Sequence, residues 1–395
     1  MSRDRLIDIV ERFAFPRQAG SDDERRAAGL VAERFAALGL DVERELFRAS
    51  PGAIGRFKIL LHGGGAFLGA ASCAAAVASP ALGAALGAGT LLLLARATRW
   101  SRLLERAFDA GPQIESQNII ARRPSRADPR AYDATSAARA QAPQIVVLAH
   151  VDSKSMRWPT FVPATLLIIA ALTIGACAAW SALAALAFVP PITPAVGFAA
   201  VALVVVSLAA GLLNSPGNES PGAMDNASGV AVLCALAESL PRDASCASAD
   251  FTFLATGAEE IGLAGAMRWA QRHERDYPRD RTLFINIDSA GVGSKLLLMD
   301  AHGRAIAALA RLVASEEKIP VRVVPSILGV GVDTMPIASR GFNTVTILGD
   351  VLGPASRRIH TSRDTTLHLH EAALAQAARF AHALAVAWCE RARNR

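Results

Sequence analysis

Two stretches of this chain carry no charge over lengths that an ordinary soluble core seldom uses. Residues Phe161–Val189 and Ala195–Leu213 are apolar or small throughout, parted by Pro190-Pro191-Ile192-Thr193-Pro194. At about 1.5 Å of helical rise per residue, each run can cross the roughly 30 Å of a bilayer's hydrocarbon. They are expected as a transmembrane hairpin at 159–213. An earlier block, 57–98, is nearly as apolar and breaks at Ser79-Pro80, which predicts helices at 57–78 and 81–98. Its Gly65-to-Gly69 and Gly83-to-Gly87 spacings are small-xxx-small patterns that let membrane helices approach closely. His62 and the glycines around it weaken the first helix, so a buried Ala-rich hairpin in a soluble core is the competing reading.

Composition agrees with a mixture of membrane and soluble parts. Hydrophobic residues make up 52% and charged residues only 19%, against about 25% in soluble domains. The net charge of +6 is carried by arginine rather than lysine. No Lys/Arg-rich run is interleaved with aromatics, which argues against a nucleic-acid partner. The five cysteines form no CxxC and no framework spacing, as suits a reducing compartment. The first 20 residues are charged and amphipathic, and no secretory signal peptide is expected among them.

Both hairpin tips lack charge. Arg44, Arg48, Arg56, Lys58, Arg96, Arg99, Arg102, Arg106 and Arg157 flank the outer ends, with Trp100 and Trp158 at interfacial positions. The positive-inside rule then puts every long polar segment on the cytoplasmic side of the inner or plasma membrane. Because a hairpin returns the chain to the side it left, the pieces 1–50, 112–157 and 214–395 can assemble into one discontinuous domain.

Those pieces alternate in the α/β manner. Amphipathic helices are expected at 4–14 and 22–38, the second opening on a Ser21 cap and an acidic first turn. Strands are expected at Leu40–Phe47, Gln117–Arg122 and Gln144–Ala149, with a polar surface loop at 123–142. Beyond residue 214 come helix 227–240, strand Asp250–Ala255, helix 262–274 and strand Thr282–Ile287. Strand Leu296–Met299, helix 303–317, strands Val321–Val324 and Val345–Leu348, and helix 366–393 complete the series. Such alternation implies a sheet covered on both faces, with ligands at the carboxyl ends of its strands.

The chemistry-bearing residues fall at those ends and at tight turns. They are His150 in LAHVDS, Asp225 in PGAMDNASG, Glu259-Glu260 in ATGAEEIG, Asp288 in INIDSAG and His360 in RIHTSRDT. Asp225 stands on a Gly-flanked turn, where Asn226 or Ser228 can cap a helix beginning near Val230. Imidazoles and carboxylates together suit zinc, or cobalt or manganese in its place. An aspartate so placed can bridge two metals, which would polarise a carbonyl and activate a water. One of two adjacent glutamates can bind metal while the other acts as general base, and Asp152 can orient His150 from behind. Singly, each of these residues has a bland explanation as a turn former or surface group. His368 and His370 are expected to face solvent at the start of the last helix. His62, His273, His302 and His382 have no ligand-type partners nearby in sequence.

This ordered set resembles the two-zinc aminopeptidases of metallopeptidase family twenty-eight, which include bacterial leucyl aminopeptidases and the peptidase domain of glutamate carboxypeptidase. The resemblance implies a three-layer α/β/α mixed sheet of the zinc-dependent exopeptidase type, here interrupted by the two hairpins. It implies two zinc ions and a peptide substrate. His150 and Asp288 would hold one metal, Glu260 and His360 the other, with Asp225 between them. Glu259 would be the base, Asp152 would support His150, and the Asp225–Asn226 peptide would be cis. Gly331-Val332-Asp333-Thr334-Met335-Pro336 resembles the family's late Ser-Asp-His-x-Pro-Phe stretch, from which Thr334 and Ile337 depart.

The inserted membrane hairpins are the second departure. Only 11 residues separate His150 from Phe161, and 12 separate Leu213 from Asp225. A metal centre so tethered is expected to open near the bilayer surface and to favour membrane-associated or apolar peptides. Two other functions compete: a glutaminyl cyclase-like acyltransferase, which shares the HxDSK wording of His150–Lys154, and a catalytically silent membrane receptor or scaffold.

Overall fold

Strand residues alternate between two apolar faces, and this alternation organises the molecule. The structure is a computed structural model and describes residues 5–96, 105–123, 142–302, 304–325 and 330–393. Trp100, Arg99, Arg102 and most of the expected 123–142 loop lie outside the described residues.

The chain begins with α1 (Leu6–Phe13), α2 (Asp22–Ala37) and β1 (Asp41–Ala49). The first apolar block forms α3 (Gly52–Ala78), wound as a π-helix over Ile59–Gly63, and α4 (Pro80–Arg96). Next come β2 (Ile114–Arg123), β3 (Gln144–His150) and the short β4 (Ser155–Met156). The second block forms α5 (Phe161–Ala185) and α6 (Pro194–Leu213), followed by the short β5 (Pro216–Gly217). The remaining elements are α7 (Ser228–Ser239), β6 (Asp250–Thr256), α8 (Ala264–His273), β7 (Thr282–Ile287), β8 (Leu296–His302), α9 (Arg304–Glu316), β9 (Val321–Val324), α10 (Thr334–Ala338), β10 (Asn343–Leu348) and α11 (Glu371–Arg393).

Where boundaries differ from the sequence expectation, the backbone gives the reason. Helix α8 starts at Ala264, because Gly262 and Leu263 have φ of +113° and +66° and cannot continue a right-handed turn. Helix α11 starts at Glu371, because Thr366–His368 forms a separate short turn. The Glu371 carboxylate then accepts the Leu6 and Ile7 amides at 3.0 and 2.9 Å, joining the two ends of the domain.

Eight strands form one mixed sheet in the order β1-β2-β6-β3-β7-β10-β8-β9. The central run β6-β3-β7-β10 is parallel, so four carboxyl ends meet at one rim. On one face Ile145, Val147, Phe253 and Ile285 pack with α1, α2, α7 and α11. On the other, Val146, Leu148, Leu254 and Phe284 pack against Trp269 of α8 and Ile337 of α10. This is the α/β fold, helices on both faces, that the alternation of strands with helices implied.

The two apolar blocks meet as a four-helix cluster whose interior includes Cys73, Ala76, Leu167, Ile174, Val204 and Leu208. Gly83 permits a close backbone approach, since a β-carbon there would lie 2.5 Å from the Ala76 Cα. Outward, Phe67, Leu172, Leu186, Phe188, Phe198 and Val206 stay exposed, an arrangement suited to a hydrocarbon surrounding. Among the described residues, α3, α5 and α6 are long and apolar enough to cross a membrane, whereas α4 is shorter.

Candidate metal centre

Register places the first ligand-type residues. Leu148 pairs with Asn286 and His150 with Thr256, so the chain leaving β3, β6 and β7 delivers His150, Glu259-Glu260 and Asp288 to the same rim. The Asp225 turn reaches them from the start of α7, and its Asp225–Asn226 peptide is cis. Asn226, rather than Ser228, caps the helix: its Oδ1 accepts the Gly229 amide at 2.9 Å. The same oxygen accepts the Ser289 amide at 3.0 Å, and its Nδ2 donates to the Ile287 carbonyl at 2.9 Å. One side chain therefore ties the turn to the end of β7. A β-carbon on Gly229 would run into both Asn226 Oδ1 and the Ile287 carbonyl. Gly229→Ala is expected to destabilise the protein by about 1–3 kcal/mol, read as a lowered midpoint of thermal unfolding in detergent.

All five expected ligand positions converge. His150, Asp225 and Asp288 offer atoms within 4.8 Å of one another, and so do Asp225, Glu260 and His360. Asp225 belongs to both groups through different oxygens. Its Oδ1 lies 3.1 Å from His150 Nε2 and its Oδ2 lies 3.0 Å from His360 Nε2. His150 Nε2 is 3.9 Å from Asp288 Oδ1, and His360 Nε2 is 3.2 Å from Glu260 Oε1. Glu259 stands outside both groups, buried beside them.

Asp152 has a broader task than the sequence suggested. Its carboxylate oxygens accept the Glu259 and Glu260 amides at 3.0 Å each, fixing the paired-glutamate turn. Its backbone carbonyl lies 3.2 Å from His150 Nδ1, and its Oδ1 lies 3.5 Å away. A proton on Nδ1 leaves the Nε2 lone pair facing the cluster.

Several supporting residues had escaped the sequence reading. Arg17 is fully buried and donates to the carbonyls of Val151 (2.6 Å), Pro221 (2.6 Å) and Gly222 (2.8 Å). Asp364 accepts the Met224 and Asp225 amides at 2.7 and 3.2 Å. The Glu24 amide donates to the Ser21 Oγ cap at 3.1 Å, its Oε2 accepts the Gly20 amide at 2.6 Å, and its Oε1 accepts the Ala258 amide at 2.9 Å. Lys154 places its ammonium 2.6 Å from Glu260 Oε2. Of these, Glu24, Lys154 and Asp364 had a sequence signal, the acidic first turn, the HxDSK wording and the late His-Thr-x-x-Asp-Thr, but none had been given a role in supporting the cluster.

Crowding shapes the protonation of these groups. Burial, followed by the charges of Glu260, Asp333 and Asp288, holds Glu259 well above the usual carboxylate range against the pull of His150. Burial acts against Glu260 too, but Lys154 and His360 outweigh it and bring its pKa down to about 2. For His150, burial opposes the charge, yet Glu259, Asp152, Asp225 and Asp288 hold its pKa well above that of a free imidazole. Burial pushes Asp333 up to about 7; its Oδ2 accepts from Thr256 Oγ1, while its Oδ1 has no hydrogen-bond partner among the described residues.

The donor set fits divalent cations. Among the described residues, Glu260 Oε1 is buried without a hydrogen-bond donor, an expensive condition for a carboxylate oxygen unless a cation meets it. Two nitrogen/oxygen groups sharing one aspartate match the ligands that zinc, cobalt or manganese accept.

Fold and cluster together define an α/β domain with two cation-type ligand groups at one rim of its sheet. Residues 195–385 match the family model described as Peptidase family M28, a span containing Asp225, Glu259, Glu260, Asp288 and His360 but starting after His150. Over those residues the chain is similar to peptidase family M28. Solved structures share its fold at low identity. An aminopeptidase from Aneurinibacillus sp. strain AM-1 is 15% identical with a TM-score of 0.56, over 96% of this chain and 92% of that one. A zinc aminopeptidase from Bacillus subtilis is 16% identical with a TM-score of 0.52, over 96% and 93%. A glutaminyl cyclase from an Acidobacteriales bacterium is 14% identical with a TM-score of 0.54, over 99% and 94%. A search of curated proteins found no match.

Proposed function

We propose that this chain is a membrane-anchored aminopeptidase that uses two zinc ions to remove N-terminal residues from peptides. The observation that carries the reading is Asp225, whose two oxygens face two separate ligand groups. His150 and Asp288 would complete one site, and Glu260 and His360 the other. When bound, the cations would polarise the scissile carbonyl and supply an activated water. Glu259 lies outside both groups and is free to take that water's proton and pass it to the leaving amine. Asp152 keeps the His150 tautomer and the paired-glutamate turn in place, and Lys154 holds Glu260 so that Oε1 points inward.

The apolar helices α3, α5 and α6 support anchoring, with the domain pieces 1–50, 112–157 and 214–395 on the cytoplasmic side by the arginine-rich flanks. Lys154 after His150-Val151-Asp152-Ser153 favours one alternative, a glutaminyl cyclase-like acyltransferase. Metal analysis of detergent-purified full-length protein, run with a panel of aminoacyl amides and an N-terminal glutamine peptide, separates the readings. The expected result is about two zinc ions per chain and release of free amino acids. A single zinc with cyclisation of the glutamine peptide would transfer the assignment to the cyclase. Absence of both metal uptake and turnover would leave only a scaffold.

A further inference from the structure

The foot of the second apolar hairpin touches the metal centre. We propose that Thr160, the residue before α5, is a positioning residue for His360, so that the hairpin forms part of the site; this rests on the two-zinc reading above. Thr160 Oγ1 lies 3.1 Å from His360 Nδ1 and 3.4 Å from the Ile359 carbonyl oxygen. A hydroxyl has one proton and two lone pairs. With its proton directed at the carbonyl, Thr160 can only accept from the imidazole, which puts the ring proton on Nδ1. The Nε2 lone pair then faces Asp225 Oδ2 at 3.0 Å and Glu260 Oε1 at 3.2 Å.

No regular element aims this ring. His360 has φ of +61°, a left-handed conformation uncommon for a residue with a β-carbon, and its direction depends on neighbours. Its carbonyl accepts the Met156 amide at 2.8 Å, four residues before Thr160. Between these two contacts, the Arg157 amide donates to the Ser215 carbonyl at 3.0 Å and the Trp158 amide to Asn214 Oδ1 at 2.9 Å. Asn214 directly follows α6, and its carbonyl accepts Lys58 Nζ of α3 at 3.1 Å. The feet of both apolar blocks and His360 are thus one hydrogen-bonded unit.

Zinc competition against a chromophoric chelator, on full-length protein in detergent, tests the assignment. Thr160→Val keeps the shape and removes the hydroxyl. It is expected to weaken one of the two zinc dissociation constants by about 10–100-fold and leave the other unchanged. The zinc still held tightly is the internal proof of folding. Thr160→Ser keeps the hydroxyl and is expected to restore parental binding of both ions, which a purely steric role would not require. A Thr160→Val protein that binds both zincs like the parent overturns the positioning role and leaves the two-zinc reading standing. Failure of the parent itself to take up zinc overturns both.

Discussion

Glu259→Gln is expected to cut kcat by about 10³-fold while the protein retains its zinc. Glutamine occupies nearly the same volume but has no carboxylate to accept a proton. Since Glu259 lies outside both ligand groups, the substitution removes the proton acceptor and leaves every ligand in place. Its backbone amide still donates to Asp152, so the turn keeps its shape. Two readouts are therefore expected to part, with turnover lost and zinc content unchanged. A scaffold would show no turnover to lose. A loss smaller than about tenfold would move the base role elsewhere, first to Asp333, whose buried Oδ1 has no hydrogen-bond partner among the described residues.

Arg17→Met is the corresponding experiment on stability. Burial lowers the Arg17 pKa to about 10, against the opposing charges of Asp364, Asp152, Asp225 and Glu260, and the group stays cationic at neutral pH. It binds the loop after β3 to the turn before Asp225 through the Val151, Pro221 and Gly222 carbonyls. Methionine fills the space but strands those carbonyls and removes a positive charge from an acidic cluster. The expected cost is about 3–5 kcal/mol, read as a fall in the unfolding midpoint of roughly 5–10 °C. Arg17→Lys is expected to rescue little, because an ammonium lacks the planar fork that reaches several carbonyls at once. A midpoint within about 2 °C of the parent would refute the bracing role.

The sequence revealed most where backbone periodicity and chemistry coincide. His150 and Asp288 directly follow apolar runs that end at the carboxyl rim, and parallel pairing of β3 with β7 brings them together. Glu259 and Glu260 follow β6 in the same way. His360 stands on an irregular loop; its motif, rather than its periodicity, identified it. Supporting contacts were harder to see because they join residues far apart in the chain. Arg17 meets Gly222 205 positions away, and Glu24 meets Ala258 234 positions away. Thr160 looks like an unremarkable helix start until the fold delivers His360 200 positions later. Asp152 shows a subtler gap: its proximity to His150 was legible, whereas its grip on two amides 107 and 108 residues downstream was not.

Strand order has a consequence for how the protein is made. Strands β2 and β3 leave the ribosome before the second hairpin, yet they are not neighbours, because β6 lies between them. Nothing can zip the middle of the sheet until residues 250–256 have been synthesised. By then both greasy hairpins are already outside the translation machinery. Hydrolytic machinery therefore matures only on chains whose apolar helices have already had their chance to find a bilayer.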